Sequence, residues 1–203
     1  MTEMFRPTIA KEELAQLQTA QFEGSIYVVQ GETDAKKAVA SLMKEKVLGF
    51  DTETKPSFAK GKTNAVCLAQ LSTETSCFLF RLRENNCLQI LKPLFENENI
   101  LKIGLSLKDD FNAIHKQMDF NPAGFVDLQP YVKQFGIEDN SLSKIYAIIF
   151  NMRISKSQRL TNWEADALTD KQKSYAALDA WAALRIYKEL ESIKSNNSIL
   201  NNK

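Results

Sequence analysis

An apolar run closed by two acids, Val47-Leu48-Gly49-Phe50-Asp51-Thr52-Glu53, constrains this chain more than any other segment. Four uncharged residues of this kind read as a strand buried inside a sheet. Alternate side chains of a strand share a face, so Asp51 and Glu53 project together from its end. Two carboxylates held that close repel one another, which is costly unless a positive group lies between them. A divalent cation is the simplest such group, and a solvated turn is the alternative for this segment alone.

The rest of the chain bounds where such a strand can sit. At 203 residues, with 44% apolar and 25% charged side chains, one substantial globular core is expected. No apolar run approaches the roughly 20 residues that span a bilayer, so no membrane partner is expected. Met1 to Gln16 carries acids and Pro7 rather than a basic segment leading into an apolar one. That argues for an intracellular, cytoplasmic protein. Cys67, Cys77 and Cys87 lack any C-x-x-C pairing and are accompanied by a single histidine. They are expected to be buried free thiols in a reducing compartment. The net charge of +1 neither demands nor excludes a nucleic acid partner.

Read along its length, the chain opens with a lead-in over residues 1–24 that contains a short helix near Lys11 to Ala20. A strand over Ser25 to Val29 precedes a helix from about Asp34 to Lys44, with Thr33 as its expected N-cap. Strands over Val47 to Glu53, Ala65 to Ser72 and Ser76 to Phe80 are linked closely enough for an antiparallel meander. Helices and strands then alternate: a helix near Leu88 to Phe95, a strand over Ile100 to Ile103, and a helix with Leu107, Phe111, Ile114 and Met118 on one stripe. Ser106 is the expected N-cap of that helix. A short strand over Phe125 to Asp127 leads to helices near Leu128 to Gln134 and Leu142 to Phe150. Thr169-Asp170-Lys171-Gln172 fits a capping box, opening a helix that runs to about Leu190. The polar residues 193–203 are expected to fray. Together this predicts an α/β fold, a mixed sheet flanked by helices in one domain over residues 25–192, with its active site at strand ends.

Two further acids join the strand pair. Asp110 lies three residues after Leu107 and four before Ile114, at the edge of the inward stripe, whereas Asp109 turns about 100° away. A first-turn acid beside a helix dipole is the alternative for either residue. Tyr175 and Asp179 stand four apart on the last helix and share a face. Ala176, Ala177, Ala180, Ala182 and Ala183 around them leave that face able to approach a sheet closely. Asp51, Glu53, Asp110 and Asp179 offer only hard oxygen ligands, which select Mg²⁺ or Mn²⁺ over Zn²⁺. Two such ions support in-line displacement at phosphorus. Tyr175, with an ordinary pKa of about 10, is a poor base, so orienting a water is its expected role. His115 falls off the inward stripe and is expected at the surface.

Asp51-Thr52-Glu53, Ile103-Gly104-x5-Asp110 and Tyr175-Ala176-Ala177-Leu178-Asp179 resemble the three exonuclease motifs of the DEDD superfamily, in its tyrosine-bearing (DEDDy) subclass. Val66-x-Leu68-x-Gln70-Leu71 and Asn162-Trp163 with Leu168-Thr169-x-x-Gln172 extend the likeness to ribonuclease D and Werner-syndrome-type 3′–5′ exonuclease domains. The resemblance runs from about Ser25 to Leu190. It implies a ribonuclease H-like (DnaQ-like) fold with a mixed five- or six-stranded sheet. It also implies two-metal release of nucleoside 5′-monophosphates from a single-stranded or recessed 3′ end. Asp51 would bridge both ions, Glu53 would hold an ion and the terminal 3′-hydroxyl, Asp110 and Asp179 would complete the ligand set, and Tyr175 would place the water. Asp127 falls where the family often keeps a polar residue, without being a ligand. Because the chain stops about one helix after the last motif, the helical binding domain of ribonuclease D is expected to be absent. Substrate grip would then come from Lys55, Phe58, Lys60 and Lys62, from Arg153, Lys156 and Arg159, or from a protein partner. A catalytically silent module that binds nucleic acid or a protein is the competing expectation.

Overall fold

The computed structural model describes residues 5–56, 64–83 and 86–200, with the side chains of 197–200 left aside. Among the described residues the strands form one six-stranded sheet. They are β1 (Ser25–Val29), β2 (Val47–Thr54), β3 (Val66–Ser72), β4 (Ser76–Arg81), β5 (Leu101–Gly104) and β6 (Phe125–Asp127), arranged in the order β1-β4-β3-β2-β5-β6. The meander is present: β2, β3 and β4 pair antiparallel. β1 adds parallel to β4, while β5 and then β6 add parallel to β2. The result is the mixed sheet the alternation implied.

Side-chain alternation on β2 divides the molecule into layers. Leu48 and Phe50 face one side, where they meet α2 (Glu32–Leu42), α3 (Cys87–Phe95) and α4 (Leu107–His115). Phe50 stands edge-on to Phe95 and Phe125 in that layer, at ring separations of 5.6 and 5.2 Å. Such aromatic contacts add modestly to the burial term. The opposite layer is built by α5 (Leu128–Tyr131), a following 3₁₀ turn (Val132–Phe135), α6 (Leu142–Phe150) and α7 (Asp170–Leu200). Ala182, Ala183, Ile186 and Leu190 of α7 pack there with Ile103 of β5. No helix among the described residues is long and apolar enough to cross a membrane. Cys67, Cys77 and Cys87 are buried and free, as the missing ligand pairs implied.

Local signals held where both partners are close in sequence. Thr169 and Gln172 form the capping box in both directions: Gln172 N donates to Thr169 Oγ1 and Thr169 N to Gln172 Oε1. Four expectations need correction. α2 starts at Glu32 after Gly31, whose φ of 87° turns the chain, so Thr33 lies inside the helix and caps nothing. Ser106 makes no side-chain cap. The short helix α1 (Lys11–Gln16) ends early, because residues further on leave it to pair with a distant segment. There Ala20 N donates to Arg153 O and Arg153 N to Gln18 O. Finally, α7 continues to Leu200 rather than fraying near residue 193. Ser195 Oγ reaches the Glu191 carbonyl at 2.9 Å and Lys194 Nζ lies 3.6 Å from its carboxylate, so polar side chains support this last stretch.

The lead-in is tied down by more than this bridge. Ile9 and Ala20 are buried. Ile9 N donates to Asp139 Oδ2 at 2.9 Å, and Glu138 N donates to Pro7 O at 2.8 Å.

Candidate active site

β2 delivers two acids because its alternation puts Gly49, Asp51 and Glu53 on the side facing α7. Gly49 is what lets the helix come so near. A Cβ built there would lie 1.9 Å from the carbonyl oxygen of Ala180. Ala176, Ala177 and Ala180 on the helix are fully buried and equally small. This close approach brings Asp179, itself buried, to the end of β2. Ligand oxygens of Asp51, Glu53 and Asp179 lie within 4.8 Å of one another. The first and last motifs of the chain therefore meet in one cluster at the strand tip.

Asp110 stands beside this trio rather than in it. It is half-buried at the start of α4 while Asp109 is exposed, as the helical stripe predicted. Thr52 Oγ1, projecting from the other face of β2, donates to Asp110 Oδ1. The residue between the two acids of the strand thus steadies the third. Alternation alone carried that signal, since residue 52 had to point away from its neighbours. Tyr175 is hydrogen-bonded through its hydroxyl to the Asp179 carboxylate. Its ring lies 5.9 Å from that of Trp163, which is fully buried. Arg81 holds the Trp163 segment by donating to the carbonyls of Ala165 and Asp166. Cys67 Sγ donates to the carbonyl of Glu53 at 3.2 Å, where the β2–β3 register shifts. Such bulges commonly re-aim a strand beside a site.

The electrostatics follow from the crowding. Burial, then repulsion from Asp179, Asp110 and Glu53, raises the Asp51 carboxyl well above its ordinary value. Burial, with repulsion from Asp179 and Asp110, pushes Glu53 up to about 9, against the nearby charge of Arg159. Burial raises Asp179 to about 7 despite the Tyr175 hydrogen bond and the Lys156 charge. Asp110 rises to about 6, again through burial, with Thr52 opposing. Two like charges 4.8 Å apart repel by about 3–4 kcal/mol at an effective dielectric constant of 20. Lys156 and Arg159 are exposed and so act through screening solvent. They do not balance several such pairs. An all-oxygen donor set of this charge fits one or more hard divalent cations.

Crowding of this kind makes stability depend on pH. These carboxyls bind protons more tightly folded than unfolded, so stability must fall as pH rises. Their contribution is complete below about pH 4 and is lost as pH passes through about 6 for Asp110, about 7 for Asp179 and about 9 for Glu53. In EDTA the thermal midpoint should drop between pH 5 and 8, and Mn²⁺ at pH 8 should restore it. A midpoint that climbs over that interval in EDTA would contradict the crowding.

The other expected contacts divide. Lys55 is engaged, with Nζ 3.1 Å from Glu164 Oε2. It stays exposed at the edge of the cleft while it pairs with the segment around Trp163. Phe58, Lys60 and Lys62 lie outside the described residues. Arg153 is also committed: its Nε donates to Leu17 O at 3.0 Å, so it serves the lead-in and not the cleft. Lys156 and Arg159 remain on the rim, exposed and near enough to act on Asp179 and Glu53. His115 is exposed, with both ring nitrogens on the main-chain carbonyls of Phe111 and Phe120. Asp127 is engaged by the main chain. Its two oxygens accept from the backbone amides of Ser106, Leu107 and Gln129 at 2.9–3.0 Å. It is thus the N-cap that Ser106 fails to provide. Beside Glu53 and Asp110 a cleft of about 560 Å³ opens, lined among others by Pro56, Asn64, Asn112 and Lys116.

A mixed six-stranded sheet with helices on both faces and acids gathered at its central strand end defines a ribonuclease H-like fold. Within that class the chain belongs to the 3′–5′ exonuclease family, whose profile matches residues 26–194. It is 34% identical over 153 residues to the bifunctional 3′–5′ exonuclease/ATP-dependent helicase WRN of Mus musculus, a match covering 72% of this chain and 11% of that protein. Its fold is similar to the Nibbler EXO domain of Aedes aegypti, with a TM-score of 0.78 at 22% identity, covering 91% of this chain and 99% of that one. It is also similar to ribonuclease D of Trypanosoma brucei, whose structure contains the RNA U12. That TM-score is 0.73 at 19% identity, covering 83% of this chain and 63% of the other. The chain thus spans only a minor part of the WRN protein it matches.

Proposed function

We propose that this chain is a divalent-metal-dependent 3′–5′ exonuclease of the DEDDy type that shortens nucleic acid from its 3′ end and releases nucleoside 5′-monophosphates. The observation that carries this reading is the meeting of Asp51, Glu53 and Asp179 within 4.8 Å, with Asp110 adjacent and Tyr175 bonded to Asp179. Asp51, Glu53, Asp110 and Asp179 would hold two ions, Mg²⁺ or Mn²⁺. When bound, the ions supply Lewis acidity for the attacking water and for the leaving 3′-oxygen.

The chain's own groups do the rest. Burial and the neighbouring carboxylates push the Tyr175 hydroxyl far above its ordinary pKa, so it stays protonated at every working pH. It is a donor and not a base. With its one proton given to Asp179 and its ring beside Trp163, its oxygen is left to accept from the attacking water and so orient it for in-line attack. Glu53, at the mouth of the cleft, is placed to receive the terminal 3′-hydroxyl. Lys156 and Arg159 on the rim meet the phosphates, with the Lys55 side chain available on breaking its exposed ion pair with Glu164. A nucleic acid substrate accords with the RNA in the ribonuclease D structure. A protein partner that adds grip, and a cytoplasmic setting, are part of the same proposal.

The test uses 5′-labelled oligonucleotides with Mg²⁺ or Mn²⁺, as single-stranded DNA, recessed duplex and RNA in parallel. A ladder shortened from the 3′ end is expected. Products of internal cuts alone would reject the exonuclease reading, and no cleavage of any substrate would favour the silent binding module. Tyr175→Phe should lower kcat about 10²-fold, the scale of a lost positioning group, with Mn²⁺ affinity intact. A loss of Mn²⁺ affinity as large as that of Asp179→Ala would reassign Tyr175 to ion binding.

A further inference from the structure

The acids of the site are unequally supported. Asp110 accepts from the Thr52 hydroxyl and Asp179 from the Tyr175 hydroxyl. Asp51, repelled by three neighbouring carboxylates, is assisted by the Thr52 main-chain amide, with no side-chain donor to it among the described residues. A side-chain donor for it is missing from these contacts.

Gln70 stands in the right place. In the β2–β3 ladder it lies directly opposite Asp51, and in the β3–β4 ladder opposite Leu79. Cross-strand partners project to the same face, so the Gln70 side chain shares the α7 side with Asp51. It is 0% exposed. Neither its Nε2 nor its Oε1 has a hydrogen-bond partner among the described residues. Its surroundings give no structural reason for an amide. Leu68, two residues earlier on the same face, and Leu79 pack with Ala176 and Ala177 of α7. A leucine would fill such a place without the desolvation cost of an unpaired amide. A buried polar group without a bond calls for an explanation, and the carboxylate across the ladder supplies one.

We propose that Gln70 is a positioning residue, whose carboxamide donates to the Asp51 carboxylate and sets its orientation. The proposal rests on Asp51 belonging to the acidic site and deepens the exonuclease reading, since carboxylates that hold an ion are themselves held by hydrogen bonds. As register partners on one face, the two side chains leave adjacent main-chain positions, within the reach expected of a cross-strand pair.

Two measurements on the full chain test this. The first needs no metal: denaturation in EDTA at pH 8 of the wild type, Gln70→Leu, Asp51→Ala and the double variant. If the amide bonds the carboxylate, Gln70→Leu raises the unfolding midpoint in the Asp51→Ala background, and in the wild type lowers it or raises it less than half as much. In the Asp51→Ala background its removal frees an unpaired amide and breaks no bond. Equal shifts in both backgrounds overturn the proposal. Gln70→Met, which keeps the side-chain length and lacks the donor, replaces Gln70→Leu should the leucine variant fail to fold. The second is calorimetric titration with Mn²⁺, where Gln70→Leu should weaken binding by about 10–100-fold. Unchanged Mn²⁺ affinity in a coupled pair would leave a contact without a positioning role and also overturn it. A wild type that binds no Mn²⁺ would remove the exonuclease reading instead, with the denaturation cycle still deciding whether Gln70 holds Asp51.

Discussion

Asp179→Ala will reduce turnover by at least about 10³-fold, a loss of roughly 4 kcal/mol of transition-state stabilisation, while raising the stability of the metal-free protein. Both effects have one cause. Asp179 is buried, and its oxygen lies within 4.8 Å of ligand oxygens from Asp51 and Glu53. With cations it would complete a binding site; without them it adds a repelling charge beside Asp51. Its removal should stabilise the metal-free chain at pH 8 by on the order of 1–3 kcal/mol, the relieved burial and repulsion outweighing the hydrogen bond that Tyr175 loses. For a chain of this size that is roughly 2–4 °C in thermal midpoint per kcal/mol. At pH 5 the gain should shrink, because Asp179, with a pKa of about 7, is then already neutral. Asp179→Asn separates the roles: it keeps an acceptor for Tyr175 and removes the charge. Kinetics and melting curves of both variants check the prediction, and full activity in either would end the assignment of Asp179 to ion binding.

Gly49→Ala should be nearly as damaging, although the side chain added is a single methyl far from any reacting atom. The new Cβ would meet the Ala180 carbonyl at 1.9 Å, and a helix backbone cannot rotate out of the way as a side chain can. Overpacking of this kind costs typically about 1–3 kcal/mol, and a main-chain collision belongs at or above the upper end. The midpoint should fall by roughly 6–12 °C, from about 3 kcal/mol at 2–4 °C each. Activity should fall further than stability explains, because the displaced helix carries Tyr175 and Asp179 away from Asp51. A shift of about 1 Å in a reacting geometry is enough for about 10²-fold. Melting curves, with kcat measured well below the new midpoint, distinguish the two losses. Unchanged melting and turnover in the Gly49→Ala variant would mean that α7 does not need this approach.

Much of this was readable from residue order because the deciding interactions are local. The strand ending in Asp51 and Glu53 announces itself by alternation, the meander by short links, and α7 by the reciprocal bonds of Thr169 and Gln172. The choice of Asp110 over Asp109 came from a helical stripe and agrees with their burial. What could not be read depends on partners distant in sequence. α4 looked as though Ser106 should cap it, yet the acceptor is Asp127, 21 residues away from Ser106. α1 looked able to reach Ala20, yet that segment bonds to Arg153. The rim lysines and arginines carry no periodicity at all, so sequence cannot separate Arg153, which is occupied by Leu17, from Arg159, whose charge acts on Glu53. Gly49 reads as an ordinary strand residue until the layer above it is known, and Gln70, though part of a family-like motif, shows no role until its cross-strand partner is known.

Asp127 carries a wider lesson about counting acids near a catalytic cleft. Its oxygens accept three amide hydrogens, two at Oδ1 and one at Oδ2, and those hydrogens belong to the starts of two helices. A carboxylate engaged in this way keeps about one of its four acceptor sites, and its charge is already met by amide dipoles. It works as a rivet, joining the end of β6 to the beginnings of α4 and α5, and through α4 it keeps Asp110 at its post. The coordinating capacity of such a cleft is therefore smaller than its formal charge, and is measured by the carboxylates whose oxygens remain uncommitted.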